Sequence, residues 1–330
     1  MSNSHSNISI FVPHIGCPNM CSFCNQRHIT GKHTAPTMAD VADAVNVAVS
    51  SPRFNPLDTE IAFFGGSFTA INKNYMTDLL KTAYNFVKNG VVSGIRVSTR
   101  PDAIDEDILK LLKQYGVTSI ELGAQSLNDK VLKSNNRGHC AEDVIMASNL
   151  IKKHGFSLGL QMMTGLYNDC DEYAVYTARE IIKLSPDTVR IYPTIVLKNT
   201  DLEALYCDKK YQPQTLEEAV NLCSQLLLMF DDANIKVIRL GLHSIEDNSY
   251  VAGPWHPAFS ELCYSRIFLK NAQKMLVKSG NYTLYVNPSC VSKMIGQHKA
   301  NINILKNLGF DCIVKPDTML GKYEIRVERR

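Results

Sequence analysis

Segments with the composition of β-strands alternate with segments of helical periodicity along most of this 330-residue chain. Six short apolar runs end in glycine, proline or polar residues, and apolar residues recur at three- and four-residue spacing between them. The strand-like runs are Ile8–Val12, Glu60–Phe64, Gly94–Ser98, Thr118–Leu122, Phe156–Leu160 and Thr188–Tyr192. Helices are predicted at Thr37–Ser50, Asn74–Lys88, Asp105–Tyr115, Ala141–His154 and Glu172–Leu184. Six β/α units at roughly 30-residue intervals predict an α/β fold with a parallel sheet, either doubly wound or curled into a barrel.

The alternation stops near Leu242–Pro257, where two prolines and a glycine interrupt it. A further helix, Leu216–Asp231, and a strand, Ile235–Leu240, complete the region before that point. A prior of ~150 residues per domain also gives about two domains for this length. We therefore predict a core of residues 1–245 and a small α+β extension of residues 246–330.

Charge and hydropathy exclude several classes of protein. The 35 Lys and Arg residues against 32 Asp and Glu residues give a net charge of +3, too small to indicate nucleic-acid binding by itself. The chain has no run of 18 apolar residues, and its first residues lack the basic and apolar segments of a secretory signal. We expect a soluble, cytoplasmic protein with no membrane partner. Its ten cysteines then indicate a reducing compartment, with thiols kept free or used as metal ligands.

Three of the ten cysteines are clustered. Cys17, Cys21 and Cys24 have the spacing C-x3-C-x2-C and follow the first predicted strand, at the sheet edge where parallel folds place ligand sites. Three such thiolates can hold three irons of a [4Fe-4S] cubane and leave the fourth iron without a protein ligand. Structural zinc normally requires a fourth ligand, so a zinc loop completed by His14 or His28 is the alternative, and a non-catalytic metal-binding protein is another.

This cysteine motif, with Phe23 in its aromatic position, resembles the defining motif of the radical S-adenosylmethionine (SAM) superfamily. The resemblance implies a partial (β/α)6 barrel and a [4Fe-4S] cluster whose open iron is chelated by SAM. It further implies an enzyme that reductively cleaves SAM to a 5′-deoxyadenosyl radical, which abstracts hydrogen from a substrate. A one-electron reductant such as flavodoxin or ferredoxin is then required.

The same resemblance implies a cofactor contact after the second strand. Gly65, Gly66 and Ser67 stand where the family has a Gly-Gly-Glu-like element that holds the amino group of SAM. Glycines let the backbone approach a ligand closely. Ser67 replaces the acid, so part of that contact is expected from elsewhere.

Polar residues at the ends of later strands are expected to converge on one rim of the barrel, as a nucleoside with several hydroxyl groups requires. Ser98 and Arg100 end the third strand, from which the family reaches the methionine carboxylate and the ribose. By resemblance, Gln125, Arg137 and Gln161 would contact the ribose and the carboxylate.

Several sequence segments resemble one branch of the superfamily, the catalytic subunit of elongator and its bacterial relatives. They are Ile29–Met38, Ser98–Asp102, Asn136–His139 and Arg190–Thr200. This resemblance implies modification of RNA, with tRNA as the partner. Only 80 residues follow residue 250, too few for the acetyltransferase domain of that branch, so we expect no acetyltransferase domain.

The identity of the substrate leaves two interpretations open. Gln125 and Arg137 also resemble positions of the anaerobic coproporphyrinogen oxidases, which keeps a tetrapyrrole precursor or another small molecule as the alternative to RNA. Tyr192 ends the sixth strand, where its phenol would serve as a hydrogen-atom relay or stack on a base, unless it is a rim aromatic with a satisfied hydroxyl.

The extension resembles a KH nucleic-acid-binding core, in which a GxxG loop between two helices approaches phosphates. Here the loop is Gly296-Gln-His-Lys299, with Lys299 in place of the second glycine. Lys293 and Lys299 would add positive potential, and Asn301 and Asn303 would reach sugar or base edges. The alternative is a structural lid that closes the barrel.

Overall fold

The computed structural model describes residues 5–12, 17, 20–24, 34–242 and 249–330. In this part of the chain, seven parallel strands form one sheet. In their order across the sheet they are β1 (Ser6–Val12), β2 (Thr59–Gly65), β3 (Gly94–Thr99), β4 (Val117–Gln125), β5 (Ser157–Thr164), β6 (Thr188–Pro193) and β8 (Lys236–Leu240). Doubly wound sheets reverse their strand order at a switch point, and this sheet does not. The barrel alternative is therefore confirmed, as an open half-barrel whose seventh strand, β8, is the predicted strand Ile235–Leu240.

Helices connect the strands and cover one face of the sheet. They are α1 (Met38–Val49), α2 (Lys73–Lys88), α3 (Glu106–Gln114), α4 (Asp129–Ser134), α5 (Ala141–Lys153), α6 (Asp171–Leu184), α7 (Asp201–Cys207) and α8 (Leu216–Asp232). Side-chain caps fix several starts: Thr37 forms a capping box with Asp40 at α1, and Thr215 does so with Glu218 at α8. Among the described residues, no helix is long and apolar enough to cross a membrane.

Alternation along the strands separates an apolar core from a polar barrel interior. In β2, Ile61 and Phe63 are fully buried among the helices, while Phe64 lines the interior cavity. Glu60 also belongs to the buried polar residues, and its carboxylate pairs with Arg96 of the neighbouring strand. The interior of the half-barrel is therefore lined by polar and charged groups.

The extension is built on a second sheet of three strands. Its elements are α9 (Phe259–Met275), β10 (Gly280–Val286), α10 (Val291–Ile295), α11 (Ala300–Asn307), β11 (Phe310–Pro316) and β12 (Arg326–Arg329). Strand β10 lies in the middle, parallel to β11 and antiparallel to β12. This agrees with the predicted α+β extension.

Helix α9 belongs to both apolar cores. Phe259, Cys263 and Ile267 pack in the barrel core, whereas Phe268 and Leu269 pack in the core of the extension. A short antiparallel pair, β7 (Val196–Leu197) with β9 (Tyr250–Ala252), also joins the two predicted units. The predicted boundary at residue 245 lies outside the described residues and stays a prediction.

The turn at Gly296–Lys299 differs from an open phosphate-binding loop. Gly296 is buried with a φ of 77°, and a Cβ there would lie 3.0 Å from the backbone nitrogen of Asn301, which explains the glycine. Lys299 is exposed, and Lys293 is half-buried with its Nζ 4.8 Å from the centre of the Tyr264 ring. The turn therefore packs against α9 on its glycine side and presents Lys299 to solvent.

Asn301 corrects one sequence-based expectation. It is 4% exposed, and its Nδ2 donates to the carbonyl oxygens of Ser265, Lys293 and Met294 at 2.9 to 3.2 Å. The side chain thus fastens the turn to α9 and is not available to RNA, because its amide is used up by buried carbonyls. Asn303 remains exposed.

We predict that Asn301→Ala lowers the free energy of unfolding by about 2 to 4 kcal/mol, because the two amide hydrogens shared among three carbonyl oxygens are lost and buried acceptors are left unpaired. Asn303→Ala, two residues along the same helix, is the matched control and is expected to change it by less than about 0.5 kcal/mol. Urea denaturation of both variants measures the difference. Equal effects would contradict the packing described for the turn.

Candidate active site

A cavity of about 530 Å³ opens at the carboxyl ends of the strands. It brings together nearly all the residues that the sequence proposed for the cluster, the cofactor and catalysis. These are Cys17, Cys21, Phe23, Cys24, Gly65, Gly66, Ser98, Arg100, Gln125, Arg137, Gln161 and Tyr192. Because they come from strands β2 to β6 and from the segments that follow β1 to β4, the parallel register of the sheet is what assembles the site.

Ser67 does not line the cavity. It is 1% exposed, its Oγ shares a 2.8 Å hydrogen bond with Thr99 Oγ1, and it accepts from the backbone N–H of Arg100 at 3.2 Å. The expectation that Ser67 contacts the cofactor is therefore corrected. Its hydroxyl instead fixes the end of β3, from which Ser98 and Arg100 reach the cavity.

The cysteine segment is anchored by a residue that the sequence analysis missed. Ser22, between Cys21 and Phe23, donates from its Oγ to Asn135 Oδ1 at 2.8 Å and from its backbone N–H to Asn135 O at 3.2 Å. Asn135 is fully buried and also donates to Val131 O and Tyr167 O. The loop that carries the cysteines is thereby tied to the end of α4.

Arg137 lies directly against the cysteines. Its Nη1 is 3.1 Å from Cys21 Sγ, and its Nη2 donates to Gly123 O at 2.6 Å. Burial raises the pKa of the Cys17 thiol, and neighbouring Cys21 raises it further, while Arg100 and Arg137 oppose the shift. Two guanidinium groups beside three thiols favour thiolates once a metal centre displaces the protons.

The polar groups of the cavity fit SAM. Ser98 Oγ, Arg100 Nη1 and Arg137 Nε are buried and have no hydrogen-bond partner among the described residues. The other guanidinium nitrogens of Arg100 donate to the Asp102 carboxylate at 2.9 and 2.7 Å, which holds the side chain in place. A buried donor without a partner costs about 1 to 3 kcal/mol. A ligand with a carboxylate and hydroxyl groups would satisfy these donors.

Gln125 reaches the cavity through a bulge in β4. Its φ of 65° is in the left-handed region, and the register between β4 and β5 shifts beside it. Gln161 Nε2 donates to Gln125 Oε1 at 3.1 Å, so the two predicted cofactor residues orient each other. His139 Nε2 lies 3.2 Å from Ala124 O and supports the bulge from behind. Only one sequence signal pointed to His139: it is the last residue of the segment Asn136–His139, which resembles the elongator branch.

A buried ion pair lines the deeper part of the cavity. Arg190 Nε donates to Glu121 Oε2 at 2.6 Å and Nη1 donates to Tyr192 Oη at 3.4 Å. The Arg190 guanidinium also lies 5.3 Å from the centre of the Phe64 ring. Burial raises the pKa of Tyr192, so it stays a neutral phenol. The sequence signal for Glu121 was an acidic residue in an otherwise strand-like apolar run.

No three His, Cys, Asp or Glu side chains in the described residues converge closely enough to hold a single metal ion. A cubane does not require such convergence, because each thiolate binds a different iron. His14 and His28, which the zinc alternative needs, lie outside the described residues, as does the start of the segment Ile29–Met38. Gly296, Lys293 and Lys299 lie in the extension and do not line the cavity.

Comparison with known proteins gives two family matches. Residues 11–181 match the model of the Radical SAM superfamily, and residues 186–268 match that of the Radical_SAM C-terminal domain. The tRNA uridine(34) acetyltransferase of Dehalococcoides mccartyi is 25% identical over 240 residues, which cover 62% of this chain and 52% of the relative. Human elongator complex protein 3 is 27% identical over 192 residues, covering 52% of this chain and 35% of the relative.

Among solved structures, the archaeal Elp3 of Methanocaldococcus infernus shares the fold, with a TM-score of 0.64 and 23% sequence identity. The match covers 81% of this chain and 64% of that chain. The chain thus spans about half the length of the Dehalococcoides relative and about a third of the human one.

We predict that His139 makes the fold less stable in acid. Burial lowers its pKa from 6.5 to about 4, so the unfolded chain binds the proton more tightly. Stability is then retained above pH 6.5 and is lost as the pH falls towards 4, by about 1 to 1.5 kcal/mol at about pH 5.5. Urea denaturation of the reduced, metal-free chain at several pH values measures this loss. His139→Gln retains a donor but cannot titrate, and an unchanged pH dependence in that variant would contradict the assignment.

Proposed function

The chain belongs to the radical SAM superfamily, and we propose that it uses a 5′-deoxyadenosyl radical to modify a uridine of tRNA. The cofactors of this superfamily are a [4Fe-4S] cluster and SAM. When bound, the reduced cluster cleaves SAM and supplies the radical that abstracts a hydrogen atom. One observation carries the proposal: the three cysteines and the buried, unpartnered groups of Ser98, Arg100 and Arg137 share one cavity.

The cysteines and the polar residues of the cavity have separate roles towards the cofactors. Cys17, Cys21 and Cys24 hold the cluster, and the Arg137 guanidinium beside Cys21 offsets the negative charge of the thiolates. Ser98, Arg100 and Arg137 bind the methionine carboxylate and the ribose. Gln125 and Gln161 orient the ribose through their mutual hydrogen bond.

The glycine element supports the same arrangement. Gly65 has a φ of 126°, and a Cβ there would lie 2.0 Å from Val12 O, so no other residue fits without separating β1 from β2. Gly65 and Gly66 therefore keep the backbone close to the cysteine loop, where their carbonyl groups are available to the amino group of SAM. Phe23 packs with Met163 and Tyr192, which excludes water from that side.

The substrate assignment combines the relatives with the deeper part of the cavity. Relatives at 25 to 33% identity are named tRNA uridine(34) acetyltransferases. In the cavity, Glu121 Oε1 and Arg190 Nη2 have no hydrogen-bond partner in the described chain. They offer one acceptor beside one donor, which pair with the N3–H and O4 edge of uracil. Cytosine presents the same two kinds of group, so the choice of uridine rests on the relatives. Tyr192, which accepts from Arg190, stands beside this pair as a hydrogen-atom relay or a stacking partner for the base.

Only the radical step and its requirements are proposed for this chain. A low-potential one-electron donor of the flavodoxin or ferredoxin type supplies the electron, and the cytoplasm is the compartment where such donors and tRNA meet. Acetyl transfer, which the names of the relatives describe, is a property of those proteins and is not part of the proposal.

We predict that anaerobic reconstitution gives a brown protein with about four irons per chain and dithionite-dependent cleavage of SAM. Serine at Cys17, Cys21 or Cys24 is expected to abolish SAM cleavage, because serine replaces the soft thiolate ligand. Cys207→Ser is the matched control, since Cys207 is an exposed free cysteine at the end of α7. Iron content and 5′-deoxyadenosine are measured together. Full activity without one of the three clustered cysteines would contradict the cluster assignment.

We predict that uridine is the hydrogen source. The enzyme is supplied with tRNA transcripts made with perdeuterated UTP, and deuterium is expected in 5′-deoxyadenosine. Transcripts made with perdeuterated CTP are the matched control and should transfer none, because the proposed hydrogen donor is a uridine. Mass spectrometry of 5′-deoxyadenosine reads both arms. Deuterium transfer from neither transcript, or equal transfer from both, would contradict the proposed substrate.

A further inference from the structure

Positive charge is concentrated at the end of this chain. Residues 270–330 contain eleven Lys and Arg residues against four Asp and Glu residues, a formal charge of +7. The whole chain carries only +3, so the preceding 269 residues carry −4. The small net charge of the protein therefore conceals an acidic barrel joined to a basic extension.

Three of these cations form what we call the lysine row: Lys270, Lys274 and Lys278. Lys270 and Lys274 are one turn apart on α9, and Lys278 follows the helix after another four residues. All three side chains are exposed, and none forms an ion pair with an acid in the described part of the chain. Arg266, one turn earlier, differs because it binds Glu217 and Asn221.

Lys270 is in an electrostatically unfavourable position in the free protein. Burial lowers the pKa of Lys270, and the charges of Arg266 and Lys274 lower it further. Like charges at this spacing on a helix destabilise it. An anion bound along the row would remove that cost.

The row is also far from the cavity mouth. Helix α9 begins beside the carboxyl end of β8, where a Cβ on Gly241 would lie 2.9 Å from Phe259 Cβ. Lys274 follows Phe259 by fifteen residues, which at about 1.5 Å per residue is roughly 22 Å. Farther along α9, Phe268 packs against Tyr323, which contacts Asp231 at the end of α8. The row thus lies towards the opposite end of the barrel.

We propose that the lysine row binds the phosphodiester backbone of the RNA whose target nucleoside occupies the cavity. The substrate class rests on the proposed function, whereas the binding surface and its distance from the cavity are new. Phosphates spaced along an RNA arm are the anions that match a row of cations on a helix. Since the row is roughly 20 Å from the mouth, only an RNA long enough to span that distance engages both sites. The row therefore selects structured RNA over a nucleoside or a short loop.

The test uses the reconstituted protein and two fluorescently labelled RNAs, a tRNA transcript and a three-nucleotide single strand, which is too short to span roughly 20 Å. The row variant is Lys270→Gln, Lys274→Gln and Lys278→Gln combined, and each single variant is measured beside it. The control variant combines Lys73→Gln, Lys88→Gln and Lys236→Gln, three exposed lysines of the barrel. Anisotropy titrations from low to high salt give Kd and its salt dependence. Urea denaturation checks that every variant is as stable as the parent.

We expect the row variant to bind tRNA at least about tenfold more weakly at low salt, with a salt slope shallower by roughly 2 to 3. Its affinity for the short RNA should stay within about twofold, and the control variant should match the parent for both RNAs. Unchanged tRNA affinity and slope in the row variant would overturn the inference. An equal loss of affinity for both RNAs would also overturn it, because the row would then not distinguish a long RNA from a short one.

A membrane surface is the competing occupant, since Met275 and Val277 beside the row are exposed. Vesicles with an anionic lipid are therefore tested in parallel. Row-dependent binding to vesicles with tRNA affinity unchanged would assign the surface to a membrane and overturn the RNA assignment. The proposed function fails separately: row-dependent tRNA binding without deuterium transfer from uridine would retain this surface and reject that reaction.

Discussion

The contact of Arg137 with Cys21 connects the cysteine segment to the parallel sheet. One guanidinium nitrogen lies 3.1 Å from the Cys21 sulfur, and another donates to Gly123 O in β4. A buried guanidinium requires acceptors on every side, because an unpaired charge is costly away from water. The cysteine loop, the bulged end of β4 and the loop after α4 are therefore held in one arrangement by one side chain. Its remaining donor, Nε, has no partner in the described chain and is available to a ligand.

The same physical constraint shapes the rest of the barrel interior. Glu60 accepts from Arg96 Nε at 3.1 Å and from Thr118 Oγ1 at 2.8 Å, and Glu121 accepts from Arg190. Buried ion pairs contribute little to stability compared with apolar packing, so the groups that each pair leaves unbonded decide what it can bind. The Glu60 carboxylate is fully bonded within the protein. Glu121 and Arg190 line the cavity, and Glu121 Oε1 and Arg190 Nη2 have no hydrogen-bond partner in the described chain. That difference separates an ion pair that only stabilises the barrel interior from one that the proposed substrate can contact.

Much of this architecture could be predicted from the sequence, because strand and helix periodicity and the cysteine spacing are local signals. The parallel sheet then brings strand ends together, which is why distant residues such as Gly65 and Gln161 share one cavity. Contacts that depend on tertiary packing were not predictable: the anchoring of Ser22 by Asn135, the contact of His139 with Ala124 O beside the β4 bulge, and the burial of Asn301. Ser67 was misassigned because a family position does not show which way a side chain points. The pairing state of Lys270, Lys274 and Lys278 also required the structure, since a sequence does not reveal which lysines lack acids nearby.

The central claim is that the cysteine cluster and the unpartnered donors of one cavity hold a [4Fe-4S] cluster and SAM together. The most direct test is electron–nuclear double resonance on the reduced, reconstituted protein with SAM labelled with ¹⁷O in its carboxylate and ¹⁵N in its amino group. We expect both labels to couple to the cluster, and the coupling to weaken when Arg100→Lys and Arg137→Lys alter the donors. A cluster that forms with full iron content but couples to neither label would contradict the account.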